Sequence, residues 1–210
     1  MADARPVAAA ILAGGQARRL GGANKAALEI GGRSIFDRQY DLLHQITSTV
    51  FVVGGAAGPW TEREVQVVPD LMPGMGALGG IYTAIAASPC ERTLVVGCDM
   101  PFLSETLLRR LVGVTDADLA IPRSARGYEP LCAVYGKACG PDIRERLTRG
   151  TLEASVLPAG VRVAEIGPQA IAAIDPDGLL FVNINTPHDY ARAQRLLELQ
   201  SKTNGRSYHD

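Results

Sequence analysis

The chain predicts an α/β fold, a three-layer sandwich of helices around a mostly parallel, twisted sheet, and three observations carry that prediction. Short β-rich runs alternate with helical patterns over most of its length. Several of these runs are apolar without alternation, as expected for strands covered on both faces. The first run ends directly in a glycine-rich loop, as where a parallel strand meets a ligand-binding edge.

The 210 residues suffice for one substantial core, so a single domain is expected over residues 1–200, with 201–210 as a frayed polar tail. An apolar share of 47% with 20% charged residues describes a soluble globular chain and excludes a disordered one. The net charge of −1 offers no global attraction to nucleic acid or membrane, so any phosphate chemistry must use local charge. Val7 to Ala13 imitates a short signal-peptide core. Asp3 offsets Arg5 before it, however, and Gly14-Gly15 and Arg18-Arg19 follow, which argues against that reading. No run approaches the roughly 20 apolar residues of a membrane span, so a cytoplasmic protein is expected. Cys90, Cys98, Cys132 and Cys139 form no Cys-x-x-Cys pair and only three histidines accompany them, so reduced thiols are expected rather than a zinc site.

In chain order, strands are expected at Val7 to Leu12, Thr49 to Val53, Val65 to Val68, Thr93 to Gly97, Leu119 to Ile121 and Leu131 to Tyr135. Between the first two, Ser34-Ile-Phe-Asp37 reads as a capping box, and Phe36, Tyr40 and Leu43 share one helical face. A second helix covers Ala77 to Ala87 and closes before Pro89, and Ser104 caps a third through Leu107, Leu108 and Leu111. Thr151 to Ile174 is the least legible stretch, a lobe or an edge with one strand-like piece, Val161 to Ile166. Leu180 to Ile184 reads as a last strand, after which Thr186-Pro187-His188-Asp189 opens a final helix with a cap, a proline and an acid.

Four constellations carry chemistry. In the loop after the first strand, Gly14 and Gly15 permit φ > 0, so successive N–H groups can point at one anion, while Arg18, Arg19 and Lys25 neutralise it. The loop is not a Walker A motif: five residues separate Gly15 from Gly21, and Lys25 precedes Ala26 where a hydroxyl would ligate magnesium. A tight βα turn with solvated arginines is the bland alternative. Second, the run from Thr93 delivers Asp99 at its C-terminal end, where a carboxylate can hold Mg²⁺ against phosphate oxygens. Asp70 follows its own strand likewise, although Asp also commonly begins a turn there. Third, Gly74-Met-Gly76-Ala-Leu-Gly79 matches Gly-x-Gly-x-x-Gly but follows its strand only after Asp70-Leu-Met-Pro73. That is too late for a dinucleotide fingerprint, and these glycines instead let a loop and a helix N-terminus close on a ligand. Fourth, Asn183 and Asn185 alternate with apolar residues, so they would share a strand face and could read a polar heterocycle or its phosphate; turn and capping contacts are the alternative.

Leu12-Ala-Gly-Gly-x-x-x-Arg19-Leu-Gly-Gly-x-x-Lys25, Leu78-Gly-Gly-Ile81, Cys98-Asp-Met-Pro-Phe102 and Asn183-Ile-Asn-Thr-Pro187 together resemble the molybdenum cofactor guanylyltransferases. The resemblance runs in order from Val7 to about Leu197 and implies a Rossmann-like fold of nucleotide-diphospho-sugar transferase type. It implies an enzyme that transfers GMP from GTP to the phosphate of molybdopterin and releases pyrophosphate. By the same resemblance Leu12, Ala13, Gly14, Gly15 and Lys25 contact GTP, Asp70 helps hold the nucleotide, and Asp99 binds Mg²⁺. Arg19 faces the triphosphate and, with Lys25 and Asp99, is implied in catalysis, while Asn183 and Asn185 meet the pterin. Transient protein partners that deliver molybdopterin or receive the product are implied too.

Two departures stand out: Gly54 where the family often has Asn, and Gly76-Ala77-Leu78 for the more usual Gly-Pro-Leu. Ala13-Gly14-Gly15, against the Ala-Ala-Gly of related cytidylyltransferases, tilts the nucleotide to GTP. The expected reaction is attack by a substrate phosphate oxygen on the α-phosphorus, in line with departing pyrophosphate and without a protein nucleophile or general base. A cytidylyl or sugar-1-phosphate transferase of the same fold, or a non-catalytic nucleotide-binding regulator, would share the loop.

Overall fold

Successive residues of β1 (Val7–Leu12) point into opposite layers: Val7, Ala9 and Ile11 join one hydrophobic cluster, Ala8 and Ala10 the other. This double burial is why the run shows no polar alternation. The structure, a computed structural model, describes residues 6–13, 24–55 and 58–204. β1 pairs in parallel with β4 (Val50–Val53) and β6 (Arg92–Gly97), in a register that sets Leu12 beside both Val53 and Gly97. The loops leaving these three strands therefore start from one edge.

β5 (Gln66–Val68) continues the parallel set beyond β4. On the other side β9 (Cys132–Gly136) runs antiparallel to β6 and to β7 (Leu119–Ser124), and β10 (Val163–Ile166) lies parallel to β7. The order is β10-β7-β9-β6-β1-β4-β5, with β8 (Gly127–Tyr128) folded back on β7, so the sheet is mixed but mostly parallel. The strand-like piece expected near Val161 to Ile166 is thus an edge strand of the main sheet.

α1 (Ile35–His44) begins as the capping box predicts: the Asp37 N–H donates to Ser34 Oγ at 3.0 Å, and the Ser34 hydroxyl donates to the Asp37 carboxylate at 2.6 Å. Its Phe36 and Leu43 enter the same layer as Leu107, Leu108 and Leu111 of α3 (Glu105–Gly113), which Ser104 caps. α2 (Gly76–Ala87) and α4 (Gly140–Thr148) cover the opposite face through Leu78, Ile81, Ile85, Ile143 and Leu147. α5 (Pro168–Ile174) adds Ile171 to the first layer. α6 (Pro187–Asn204) opens with the Asp189 N–H on Thr186 Oγ1 at 3.1 Å and packs Ala193 against Ile30 and Ile35 beside a hairpin of β2 (Glu29–Ile30) and β3 (Arg33–Ser34).

One expected element is absent: Leu180 to Ile184 is not a strand. Leu180, Phe181 and Ile184 are buried, which accounts for the apolar pattern, but the backbone donors find other partners. The N–H groups of Leu179 and Leu180 donate to the Asp175 carboxylate at 2.9 and 2.8 Å, and that of Ile184 donates to the Asp99 carbonyl at 2.9 Å. Of the expected tail, residues 201–204 continue α6, and 205–210 lie outside the described residues.

Candidate active site

Lys25 opens a short 3₁₀ turn whose direction is set locally. Asn24 Oδ1 accepts the Ala26 N–H at 3.1 Å, and fully buried Ala26 anchors the turn in the core. The Lys25 ammonium is thereby directed at the turn that follows β6. There Lys25 Nζ donates to Asp99 Oδ2 at 3.3 Å and also to Asn185 Oδ1. Three residues from remote parts of the chain meet at this point, with side-chain exposures of 14% for Lys25 and 17% for Asp99 that leave both reachable by a ligand.

They border a cleft of about 470 Å³ at the C-terminal edge of β1, β4 and β6, where open α/β sheets bind ligands. Leu12, Gly54 and Asp70 line it, as do Gly74, Gly76 and Ala77 at the entry to α2. Asp70 Oδ1 accepts the Met72 N–H at 3.0 Å and the Thr83 hydroxyl at 2.8 Å, and Thr83 Oγ1 takes the Leu71 N–H at 3.0 Å. Thr83, fully buried on α2, thus aims a carboxylate into the cleft. The signal for it was a hydroxyl four residues after Gly79 in a largely apolar helix. Thr83→Val keeps the shape but removes the hydroxyl shared by the Asp70 carboxylate, the Leu71 N–H and the Gly79 carbonyl, and should destabilise the fold by about 1–3 kcal/mol. Denaturant unfolding of the two proteins measures this, and an unchanged midpoint would remove Thr83 from the support of Asp70.

The Gly-x-Gly-x-x-Gly stretch forms the loop and helix entry at the cleft wall. Gly74 and Gly76 adopt φ of +82° and +64°, and a Cβ at Gly79 would stand 2.8 Å from the Met72 carbonyl oxygen. The glycines let the helix N-terminus close on its own loop at the cleft wall. Gly54 has φ of +141° and gives its N–H to the Val68 carbonyl at 3.0 Å, so it contributes backbone alone.

Leu12 and Ala13 both stand at this edge, but the Leu12 carbonyl accepts the Cys98 N–H at 3.1 Å and the Ala13 N–H donates to Val53 at 2.8 Å. Those two groups hold the sheet together. Gly14, Gly15, Arg18 and Arg19 lie outside the described residues. With no strand at 180–184, no ladder sets Asn183 and Asn185 on one face: Asn185 reaches Lys25, whereas Asn183 Oδ1 is enclosed without a partner. Burial, reinforced by the Asp99 charge, pushes the neighbouring Cys98 thiol up to about 12, so it stays protonated and is no nucleophile. The four cysteines are free thiols.

Among the described residues no group of three or more His, Cys, Asp or Glu side chains could cage a metal ion. A single carboxylate such as that of Asp99 could hold a divalent ion only together with oxygens of a ligand and water. No helix among the described residues is long and apolar enough to cross a membrane.

The family model of the MobA-like NTP transferase domain matches residues 9–163. Over 190 residues the chain is 30% identical to a molybdenum cofactor guanylyltransferase of Desulfosudis oleivorans, covering 90% of this chain and 94% of that protein. It is 34% identical over 189 residues to a protein of Pelotomaculum thermopropionicum named "probable molybdenum cofactor guanylyltransferase", covering 90% and 92%. Among solved structures, the molybdopterin-guanine dinucleotide biosynthesis protein A of Archaeoglobus fulgidus superposes with a TM-score of 0.72 at 24% identity, covering 90% of this chain and 98% of that one.

Proposed function

The chain belongs to the MobA-like NTP transferase family, and on that premise we propose that it transfers GMP from GTP to the phosphate of molybdopterin, releasing pyrophosphate. The observation that carries the chemistry is the meeting of Lys25 and Asp99, 3.3 Å apart, at the mouth of a cleft large enough for a nucleotide. The guanine and the pterin rest on the names of the relatives.

In this reading the triphosphate lies along the edge of β1 and β6 with the Lys25 ammonium on its oxygens. Asp99 would hold Mg²⁺, which when bound supplies further charge neutralisation at those oxygens. Asp70, held by Thr83, takes a polar group of the nucleoside. Arg19 and the N–H groups of Gly14 and Gly15 complete the phosphate cradle. Asn183 and Asn185 receive the acceptor, Asn185 from its exposed position beside Lys25. No side chain removes a proton, because the attacking phosphate is already ionised near neutral pH. The protein's part is positioning and charge. Proteins that deliver molybdopterin or receive the product complete the cytoplasmic setting of this proposal.

Incubation with molybdopterin, Mg²⁺ and each of GTP, CTP, ATP and UTP, followed by mass analysis, tests the reading. A guanine dinucleotide product from GTP alone is expected. Preference for CTP would mark a cytidylyltransferase, and nucleotide binding with neither product nor pyrophosphate exchange would mark a regulator.

A further inference from the structure

Gln39 is a polar residue where α1 otherwise buries Ile35, Phe36 and Leu43, and it is only 1% exposed. Its Nε2 donates to the Gly97 carbonyl at 2.7 Å and to the Met100 carbonyl at 2.9 Å, the residues that bracket Cys98 and Asp99. Two carbonyl partners require the nitrogen on that side, so the chemistry fixes the amide orientation. Its oxygen, Oε1, is left enclosed with no partner. An unpartnered buried acceptor is destabilising, and an unbranched apolar side chain of similar length would fill the space without one. What the glutamine adds over an apolar residue is therefore its donor pair to the Gly97 and Met100 carbonyls.

The turn it grips is weakly held by its own backbone, the Met100 N–H reaching the Gly97 carbonyl only at 3.4 Å. That turn places Asp99 opposite Lys25, and its Asp99 carbonyl also receives the Ile184 N–H at 2.9 Å, next to Asn183 and Asn185.

We infer that Gln39 is a positioning residue: its amide clamps the 97–100 turn, setting the Asp99 carboxylate for the metal–nucleotide and tying the 183–185 segment to the same turn. The inference rests on the proposed function only for what Asp99 holds. Gln39→Met keeps the length and removes both donors. Two buried carbonyls lose their donor as the orphaned oxygen goes, so a lowered but still cooperative melting transition is expected, and the remaining measurements are made well below it.

Hydrogen exchange at the Ile184 and Cys98 amides should speed up roughly tenfold, the scale of one lost hydrogen bond. Mn²⁺ binding in the presence of GTP, followed by electron paramagnetic resonance, should weaken by a similar factor, and kcat should fall while KM for GTP changes little. Gln39→Leu repeats the measurements if methionine crowds the core. Unchanged exchange at both amides in a folded variant overturns the clamp, whatever the activity. Faster exchange with no product from either parent or variant keeps the clamp and sinks the functional reading.

Discussion

Lys25→Ala is expected to slow nucleotidyl transfer by roughly 10²–10³-fold, the scale of losing one positioned electrostatic group. The reason lies in how the ammonium is held. Ala26 anchors its turn in the core, Asn24 caps that turn, and Asp99 and Asn185 hold the charge at the cleft mouth before any ligand arrives. A cation already in place needs no reorganisation as negative charge develops on the departing pyrophosphate. In the alanine variant the Asp99 carboxylate has lost its ion-pair partner, so the nucleotide meets a net negative charge where the parent offers a balanced pair. Binding and transfer should both suffer. Lys25→Arg restores the charge but replaces a compact point charge with a planar fork, so partial recovery is expected. Steady-state assays on purified protein whose circular dichroism matches the parent decide the matter, and near-normal turnover of the alanine variant would remove Lys25 from the machinery.

The part of this site that was legible in the sequence follows from where the chain is buried. Val7 to Leu12 and Thr93 to Gly97 are apolar because both faces are covered, so their ends, and Asp99 just beyond, stood out. The same signal misled at Leu180 to Ile184: hydrophobicity reports burial, and here the backbone donors go to Asp175 and Asp99 instead of a neighbouring strand. The Gly31-Gly32 pair between Ile30 and Arg33 is the sequence cue to the β2–β3 hairpin. α4 and α5 are faint in the sequence, since their few large buried residues, Ile143 and Leu147 in one and Ile171 in the other, leave a thin apolar stripe. Gln39 was beyond reach for another reason. Nothing local distinguishes a glutamine that faces solvent from one that grips a turn 58 residues further along the chain.

Asp99→Asn should lower metal-dependent turnover by a factor comparable to that for Lys25→Ala, and should flatten the Mg²⁺ titration, because a hard cation loses its charged oxygen. The substitution is nearly isosteric and leaves the geometry in place. An asparagine oxygen still accepts from Lys25 Nζ, and the bond from the Ile184 N–H uses the backbone carbonyl of residue 99, which the change does not touch. Lost activity therefore cannot be assigned to a displaced Lys25 or a released 183–185 segment. A second effect, read together with the Mg²⁺ response, separates a metal ligand from a residue that merely orients Lys25. With the carboxylate gone, the Lys25 charge is unopposed, so metal-free GTP should bind the variant more tightly than the parent, although transfer falls. A residue whose only task was to orient the ammonium would leave the Mg²⁺ response as it is in this variant, because the asparagine oxygen still accepts from Lys25. Calorimetric titration of GTP in the presence of a chelator, set beside the Mg²⁺ dependence of the rate, distinguishes the two. Tighter metal-free binding with a flattened Mg²⁺ response is the expected pair. An unchanged Mg²⁺ response would move the metal away from Asp99.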